Sequence, residues 1–208
     1  MVKIKICGIT NKEDAEKAVS LGADYIGFIF ADSPRKIEPH IAKPIIENLK
    51  GKVLSTGVFV NESPEAIRKT IECCSLDAIQ LHGDESPQYC SQLDNTRVIK
   101  AFRIKDSSSL NPISRYKNVF AYLLDTFSDR KYGGTGRAFD WELAIRAKSF
   151  GKPIILSGGL GLNNIEEAIK SIKPYAVDIS SSIELKPGKK DHKAMERLFA
   201  VIKALDEQ

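Results

Sequence analysis

The sequence has few of the residues from which metal and disulfide sites are built. Its 208 residues include four cysteines and three histidines, and no two cysteines have the C-x-x-C spacing of a zinc or redox motif. Cys73 and Cys74 are adjacent in a helix-like segment, which is not a zinc signature. We therefore expect no metal ion, and this cysteine usage favours a reducing, cytoplasmic compartment.

Long apolar stretches and a strong charge of one sign are also missing. No segment approaches the roughly 18 apolar residues of a membrane-spanning helix, and no apolar signal-peptide core follows the first residues. The 31 basic and 27 acidic residues leave a net charge of +4, and the densest basic group, "KPGKK" (186–190), is interpreted as a solvated loop. We expect neither a membrane nor a nucleic acid as partner. A Gly-x-Gly-x-x-Gly fingerprint is absent too, so no nucleotide cofactor is expected.

What the sequence does contain is a regular alternation of short β-branched runs and helical patterns. The eight predicted strands cover residues 3–7, 24–30, 53–60, 77–81, 97–101, 119–125, 153–157 and 175–180. The helices predicted after them cover residues 12–20, 39–49, 64–73, 86–92, 107–116, 140–148, 163–172 and 191–204. Pro112 interrupts the fifth of these helical patterns.

Strict alternation of strands and helices predicts a parallel sheet. Eight strand–helix units predict an α/β fold of the closed (β/α)8 TIM barrel type, and a doubly wound open sheet is the alternative. No linker and no change of composition divides the chain, so residues 1–208 are expected to form one domain. In such a barrel the chemistry lies at the carboxyl ends of the strands and in the loops that follow them.

The first predicted strand ends in a cysteine. In "KIKICGIT" two isoleucines alternate with Lys3, Lys5 and Cys7, so the lysines and the thiol share one face. Gly8 then ends the strand and leaves Cys7 beside a loop. Taken alone, this cysteine is interpreted as a small buried hydrophobe. At the end of a barrel strand it becomes a candidate for chemistry.

The sixth predicted strand ends in a carboxylate. Asp125 follows Leu123 and Leu124 in "AYLLDTF", so an apolar strand carries it to the mouth of the barrel. A helix cap is the structural alternative, but no helical pattern begins within the next several residues. The glycine-rich "SDRKYGGTGRAFDW" follows instead, and we expect this segment to close over a ligand. Asp125 is therefore a second candidate for chemistry.

Two further strand ends carry polar side chains. In "IQLHGDE" Gln80 and His82 share a face opposite to Leu81. Either of them can touch a substrate, although His82 can equally be a loop histidine. In "ADSPRKI" Pro34 stiffens the loop after the second strand, and Arg35 offers a planar guanidinium that matches a carboxylate or a phosphate. The alternative for Arg35 is a solvated surface side chain.

The loops after the last two strands are suited to a phosphate. "LSGGLGLNNI" places Gly158 and Gly159 ahead of a helix, where backbone N–H groups can approach an anion closely. "AVDISSSIE" adds the hydroxyl and amide donors of Ser180, Ser181 and Ser182. In (β/α)8 barrels these two loops often form a phosphate site, whereas tight turns and a serine-rich strand end are the structural alternative. We expect a phosphate site here.

Lys5 precedes Cys7 by two residues and is expected to enter the barrel on the same side. A buried ammonium group needs a partner, and Asp178 is the expected one because the last strand closes the barrel against the first. The charge of Lys5 would favour the Cys7 thiolate, whereas desolvation would disfavour it. We expect the net shift of the Cys7 pKa to be downward.

Taken in order, these motifs resemble the phosphoribosylanthranilate isomerase family. The matching segments are "KICGIT", "SPR", "GVFVN", "QLHGDES", "LLD", "YGGTG" with "FDW", "LSGGL", and "VDIS" with "PGKKD". They run from the first strand to the start of the last helix and so cover nearly the whole chain. The combination is specific, although no single motif is.

The resemblance implies a cofactor-free isomerase of tryptophan biosynthesis on a (β/α)8 fold. Such an enzyme converts N-(5-phosphoribosyl)anthranilate, a phosphosugar, to 1-(2-carboxyphenylamino)-1-deoxyribulose 5-phosphate by an Amadori rearrangement. By motif, Cys7 would be the general base and Asp125 the general acid. Arg35 would meet the anthranilate carboxylate, and the loops at "SGG" and "ISS" would hold the phosphate. The expected assembly is a monomer or a homodimer.

Two departures from the family pattern lie at the phosphate end. The family usually has Ser-Ser-Gly where this chain has Ser180, Ser181 and Ser182. "GGLGLNNI" also replaces the commoner Gly-Gly-Leu-Asn-Pro-Glu-Asn. These departures bear on the geometry and affinity of the phosphate site and leave the reaction type unchanged.

Three other functions remain as alternatives. The histidine-pathway isomerase performs the same rearrangement in the same fold, but its family has an aspartate at the end of the first strand. Indole-3-glycerol-phosphate synthase works through an interior lysine and releases carbon dioxide. A catalytically silent barrel that binds a phosphorylated ligand needs only the phosphate loops, and the presence of both Cys7 and Asp125 argues against it.

Overall fold

The computed structural model describes residues 1–93, 95–126 and 141–206. Within these residues eight parallel strands close into a barrel in the order β1 to β8. The strands are β1 Lys3–Cys7, β2 Tyr25–Ile29, β3 Leu54–Phe59, β4 Ala78–Leu81, β5 Arg97–Ile104, β6 Ala121–Thr126, β7 Ile154–Ser157 and β8 Ala176–Ile179. The predicted (β/α)8 barrel is confirmed, and an open sheet is excluded because β1 pairs with both β2 and β8.

Seven α-helices occur in the described part of the chain. They are α1 Lys12–Leu21, α2 Pro39–Leu49, α3 Pro64–Cys74, α4 Pro87–Ser91, α5 Trp141–Lys148, α6 Ile165–Ile172 and α7 His192–Asp206. Four of them begin at a side-chain cap, because Asn11, Ser63, Ser86 and Asp191 each accept a hydrogen bond from the backbone N–H three residues on. None of the described helices combines the length and the apolar character of a membrane span.

The prediction of a fifth α-helix at residues 107–116 is wrong. That segment forms two short 3₁₀ turns, Ser107–Leu110 and Ile113–Arg115. Pro112 lies between them, and its missing N–H and its ring prevent a continuous helix. Asp106 caps the first turn with its side chain, so the local chemistry favours a short turn here.

Successive side chains of the strands enter two different layers. Ile4 and Ile6 of β1 point outward and belong to the large apolar core between the barrel and the helices. Lys5 and Cys7 therefore point into the barrel, where both are buried. A second, smaller apolar cluster fills part of the barrel interior and consists of Ile99, Ala101, Ala121, Leu123, Ile155 and Ala176. The interior is therefore a packed core, which holds the buried Lys5 as well as apolar side chains.

A short hairpin follows β8. Its strands, β9 Glu184–Lys186 and β10 Lys189–Lys190, pair in antiparallel fashion, and Gly188 turns between them with a φ of 79°. The interpretation of "KPGKK" as a solvated loop is wrong for Lys190, which is fully buried. The hairpin folds the end of this basic segment back onto the barrel, which the density of charge in the sequence does not reveal.

Candidate active site

Cys7 and Lys5 of β1 lie close together inside the barrel, beside Gly27 of β2. Cys7 lies in register with Gly27 of β2, and the exposed fractions of Cys7 and Lys5 are 5% and 0%. A Cβ atom on Gly27 would lie 2.8 Å from Cys7 Sγ and 3.1 Å from Lys5 Nζ. The first distance is shorter than real side chains show, so the absence of a side chain at Gly27 gives the thiol and the ammonium their space.

Lys5 forms a buried ion pair with Asp178. The two residues are in register across β1 and β8, and Lys5 Nζ donates to Asp178 Oδ1 at 2.8 Å. Ser157 Oγ donates to the other carboxylate oxygen at 3.2 Å. Burial alone would lower the pKa of Lys5, but Asp178 and Cys7 outweigh burial and raise it, so the ammonium stays protonated. The contact that we expected between Lys5 and Asp178 is present.

The balance of charges around Cys7 differs from our expectation. Burial is the largest influence on the thiol, and it raises the pKa of Cys7. Lys5 opposes this shift, whereas the Asp178 carboxylate adds to it. The net direction is upward, so the expected downward shift is wrong. The main reason is that burial disfavours the thiolate more than Lys5 favours it, and the Asp178 carboxylate offsets part of the effect of Lys5.

The pH dependence of Cys7 alkylation tests this balance. The midpoint of iodoacetamide labelling is expected above the ordinary cysteine value of about 8.5, because burial disfavours the thiolate. Lys5→Met should raise the midpoint further, since it removes the cation. Asp178→Asn should lower the midpoint, since it removes the anion and leaves the cation.

The extent of labelling at each pH is measured by mass spectrometry of the peptide that contains Cys7. Cys73 serves as the internal control, because it is exposed on α3 whereas Cys7 is buried inside the barrel. Midpoints that move in the same direction in both variants would contradict the argument, because a change of packing and not of charge would then control the thiol.

Asp125, His82 and Gln80 form a hydrogen-bonded chain on the side of the barrel across from β1. His82 Nε2 lies 3.1 Å from Asp125 Oδ2, and Gln80 Nε2 lies 2.9 Å from His82 Nδ1. The amide nitrogen of Gln80 is a donor, so Nδ1 accepts and a neutral imidazole carries its proton on Nε2. His82 therefore donates to Oδ2 of Asp125, and among the described residues no hydrogen bond reaches its Oδ1.

A buried ion pair supports the loop that carries His82. Glu85 Oε2 lies 3.0 Å from Lys100 Nζ, and neither side chain is more than 2% exposed. Lys100 Nζ also donates to the carbonyls of Leu81 and Gly83, at 3.1 and 2.8 Å. Those carbonyls flank His82, so the pair fixes the backbone on both sides of it. Sequence reasoning missed this pair, because "HGDE" has the composition of a solvated loop.

The loops after β7 and β8 lie at the same mouth of the barrel. Gly158 and Gly159 have φ angles of 86° and 66°, which glycine adopts without strain. Ser180 Oγ donates to the Cys7 carbonyl at 3.1 Å, so its hydroxyl is engaged with β1. Ser181 is exposed and begins a 3₁₀ turn. The four predicted phosphate-binding residues therefore occupy two adjacent loops, with Ser180 serving also as a link to Cys7.

Arg35 reaches this mouth from the loop after β2. A Cβ atom on Gly8 would lie 2.7 Å from Arg35 Cδ, so the side chain of Arg35 passes directly over the residue that follows Cys7. The guanidinium forms a two-pronged contact with Glu184, with Nε 2.9 Å from Oε1 and Nη2 2.7 Å from Oε2. Glu184 and its neighbour Lys190 were missed in the sequence; the "PGKKD" match pointed to this segment but not to its burial.

The predicted closing segment, residues 128–141, lies outside the described residues apart from Trp141, and its closure over a ligand stays a prediction. Within residues 1–93, 95–126 and 141–206, no group of three or more His, Cys, Asp or Glu side chains is arranged to hold a metal ion.

Comparison with known proteins identifies the family. A family model described as N-(5'phosphoribosyl)anthranilate (PRA) isomerase matches residues 4–201. The chain is 52% identical to the N-(5'-phosphoribosyl)anthranilate isomerase of Geobacter sulfurreducens over 192 residues, which are 92% of this chain and 93% of that protein. The chain belongs to this isomerase family.

Solved phosphoribosylanthranilate isomerase structures have the same fold. The Thermotoga maritima protein is 40% identical, with a TM-score of 0.91 over 98% of this chain and 100% of that chain. A monomeric form of the dimeric Thermotoga maritima protein is 38% identical, with a TM-score of 0.87 and the same coverage. A complex of a phosphoribosylanthranilate isomerase with reduced 1-(o-carboxyphenylamino)-1-deoxyribulose 5-phosphate is 38% identical, with a TM-score of 0.88 and again the same coverage. The family to which the motifs pointed is confirmed.

The two departures from the usual phosphoribosylanthranilate isomerase pattern meet in the structure. Ser182 stands where the family usually has glycine, and its Oγ donates to the carbonyl of Leu160. A Cβ atom on Gly161 would lie 2.9 Å from Ser182 Cβ, and Gly161 stands where the family commonly has asparagine. The side chain gained at Ser182 thus occupies space that Gly161 leaves open, so each departure accommodates the other.

Proposed function

We propose that this chain converts N-(5'-phosphoribosyl)anthranilate to 1-(2-carboxyphenylamino)-1-deoxyribulose 5-phosphate in tryptophan biosynthesis, by general acid–base catalysis without a cofactor. The observation that carries the proposal is the placement of a thiol and a carboxyl group on opposite sides of one barrel mouth. Cys7 ends β1 and Asp125 lies near the end of β6. A sugar between them can exchange protons with both.

The first step requires an acid. The substrate is a glycosylamine, and its ribose ring opens when the ring oxygen is protonated and the bond from C1′ to that oxygen breaks. The nitrogen lone pair then forms the C1′=N bond of a Schiff base. We assign Asp125 as the donor. His82 donates to Oδ2 at 3.1 Å, which orients the carboxyl group, and Oδ1 is assigned to the proton transfer.

The second step requires a base. The Schiff base acidifies the proton on C2′. When that proton is removed, its electron pair forms the C1′=C2′ bond of an enolamine, and the π pair of the C1′=N bond moves onto the nitrogen. We assign Cys7 as the acceptor, with Lys5 supplying the positive charge that favours the thiolate. Asp178 holds Lys5 in place. The enolamine then takes a proton at C1′ while its C2′ hydroxyl loses one and becomes the ketose carbonyl, so substrate and product are isomers.

Binding at the two ends of the substrate positions the sugar. We assign the phosphate to the loops that contain Gly158 and Ser180, where positive φ angles and backbone N–H groups suit an anion. We assign the aromatic carboxylate to Arg35. Correct positioning of reacting groups can lower a barrier by several kcal/mol. The phosphate-binding loops and Arg35 are therefore proposed to contribute to the reaction rate as well as to substrate affinity.

Turnover of freshly prepared substrate tests the proposal. We expect the purified chain to convert N-(5'-phosphoribosyl)anthranilate to a product of unchanged mass, with no release of carbon dioxide. The reaction is monitored by fluorescence. Full activity after exhaustive EDTA treatment and without added nucleotide is also expected, because the proposed steps require only an acid and a base from the protein.

Three outcomes would contradict the proposal. Preference for the aminoaldose of the histidine pathway would favour the other isomerase, and release of carbon dioxide would favour the synthase. Tight binding of product with no turnover would indicate a silent binding protein. The assembly, a monomer or a homodimer, and the cytoplasmic location stay predictions.

A further inference from the structure

We propose that Glu184 is a positioning residue for substrate recognition, which holds Arg35 so that the remaining edge of the guanidinium receives the aromatic carboxylate of the substrate. This inference rests on the proposed function, because it takes that carboxylate as the ligand of Arg35. It assigns a role to the hairpin β9–β10, which the acid–base mechanism by itself does not use.

The contact between Arg35 and Glu184 fixes one edge of the guanidinium. Nε donates to Oε1 and Oε2 at 2.9 and 3.0 Å, and Nη2 donates to Oε2 at 2.7 Å. The exposed fractions of the two side chains are 21% and 3%. A guanidinium carries five N–H donors in one plane. Because Glu184 takes the Nε–Nη2 edge, the Nη1–Nη2 edge is the one suited to a second carboxylate.

Lys190 sets the net charge of the cluster that it forms with Arg35 and Glu184. Its Nζ lies 2.9 Å from Glu184 Oε1, and its side chain is fully buried. Burial alone would raise the pKa of Glu184, but hydrogen bonds from Arg35 and Lys190 outweigh burial and lower it, so the carboxylate is ionised. Burial lowers the pKa of Lys190, and the hydrogen bond to Glu184 opposes that shift. With Lys190 protonated, two cations and one anion leave one positive charge. Without Lys190, Glu184 would cancel the charge with which Arg35 attracts a carboxylate.

Lys190 also joins this group to the proposed base and to the phosphate loop. Its Nζ donates to the carbonyl of Cys7 at 2.6 Å and to the carbonyl of Ser180 at 3.1 Å. One buried cation therefore contacts β1, the end of β8 and the residue that orients Arg35. The arrangement sets the position of the carboxylate clamp relative to Cys7, and a misplacement of about 1 Å can cost about 100-fold in rate.

Other roles for Glu184 would give different results in a binding experiment. If Glu184 competed with the substrate for Arg35, its removal would strengthen binding of a carboxylated ligand. If Glu184 served folding alone, its removal would affect carboxylated and uncarboxylated ligands equally. The three roles therefore differ in the sign and the selectivity of one measurement.

The test uses Glu184→Gln and two ligands that differ by one carboxyl group. The ligands are reduced 1-(2-carboxyphenylamino)-1-deoxyribulose 5-phosphate and its phenylamino counterpart, and their Kd values are measured by calorimetry. Glutamine keeps the shape of the side chain but turns one acceptor into a donor. We expect the Kd of the carboxylated ligand to rise by about 10- to 100-fold, and that of the phenylamino ligand by less than about threefold.

Kinetics and a double variant separate positioning from stability. In turnover, KM for N-(5'-phosphoribosyl)anthranilate should rise more than kcat falls. In an Arg35→Met background, Glu184→Gln should have no further effect on binding, because the group through which it acts is gone. The matched control is Glu65→Gln, since Glu65 forms an exposed ion pair with Lys69 on α3. Thermal unfolding checks that each variant folds.

If the Glu184→Gln protein does not fold, Glu184→Asp replaces it, because aspartate keeps the charge beside Lys190 but is too short to span both nitrogens. Equal weakening of both ligands, tighter binding of the carboxylated ligand, or additive effects of the Arg35 and Glu184 substitutions would each overturn the inference. Failure of the proposed function is seen separately, since the parent chain would then not turn over the substrate.

Discussion

Cys7→Ser is expected to lower kcat by about 10²- to 10⁴-fold while the protein remains folded, which is the range over which general acid–base groups act. A serine hydroxyl is a far weaker acid than a thiol, so it cannot supply the anion that removes the C2′ proton. Serine has nearly the shape of cysteine and fits the space that Gly27 leaves beside Lys5. The measurements are steady-state kcat and thermal unfolding of the variant and its parent.

The control for this substitution is Cys73→Ser, which makes the same chemical change at an exposed position. It should leave kcat unaltered. A Cys7→Ser protein that keeps more than about a tenth of the parent kcat would rule out Cys7 as the base. In that case the buried thiol would be a packing residue, as the strand taken alone suggests.

Asp125→Asn is expected to lower kcat by a similar factor, about 10²- to 10⁴-fold, because the amide cannot protonate the ring oxygen. Asparagine has the size of aspartate, and its side-chain oxygen can still accept the hydrogen bond from His82 Nε2. The chain from Gln80 to residue 125 should therefore persist, and KM should change less than kcat. Both constants are measured from initial rates.

The matched control for Asp125→Asn is Glu72→Gln, at an exposed position of α3, which should keep the parent kcat. An Asp125→Asn protein with half of the parent kcat would show that another group protonates the ring oxygen.

The barrel and its strand order followed from local patterns. Each strand contains a short run of β-branched or apolar residues, and each predicted strand overlaps the observed one. For example, the strand predicted at residues 3–7 coincides with β1 Lys3–Cys7. The closed barrel followed from the number of units. The prediction failed at residues 107–116, where Pro112 makes two short turns more stable than one helix. The hairpin β9–β10 was missed because its two strands are only three and two residues long.

Part of the candidate site also followed from periodicity. Alternation placed Lys5 and Cys7 on one face of β1, and closure of β8 against β1 predicted the contact between Lys5 and Asp178, which lies at 2.8 Å. These inferences succeed because the side-chain period of a strand is two residues and because strand order sets the neighbours. The catalytic roles of Cys7 and Asp125 rest on the motifs and await the two substitutions above.

By itself the sequence determined the fold, the family and the residues at the strand ends, because each of these depends on short segments read in order. Only the tertiary structure decided the charges that act on those residues. Arg35 and Glu184 are 149 residues apart in the chain, and Lys190 is 183 residues from Cys7. Whether such groups are solvated or buried against one another depends on how the barrel closes. The effect of one charge on another depends on that burial, so packing decided the direction of the Cys7 pKa shift and the burial of Lys190 in the hairpin.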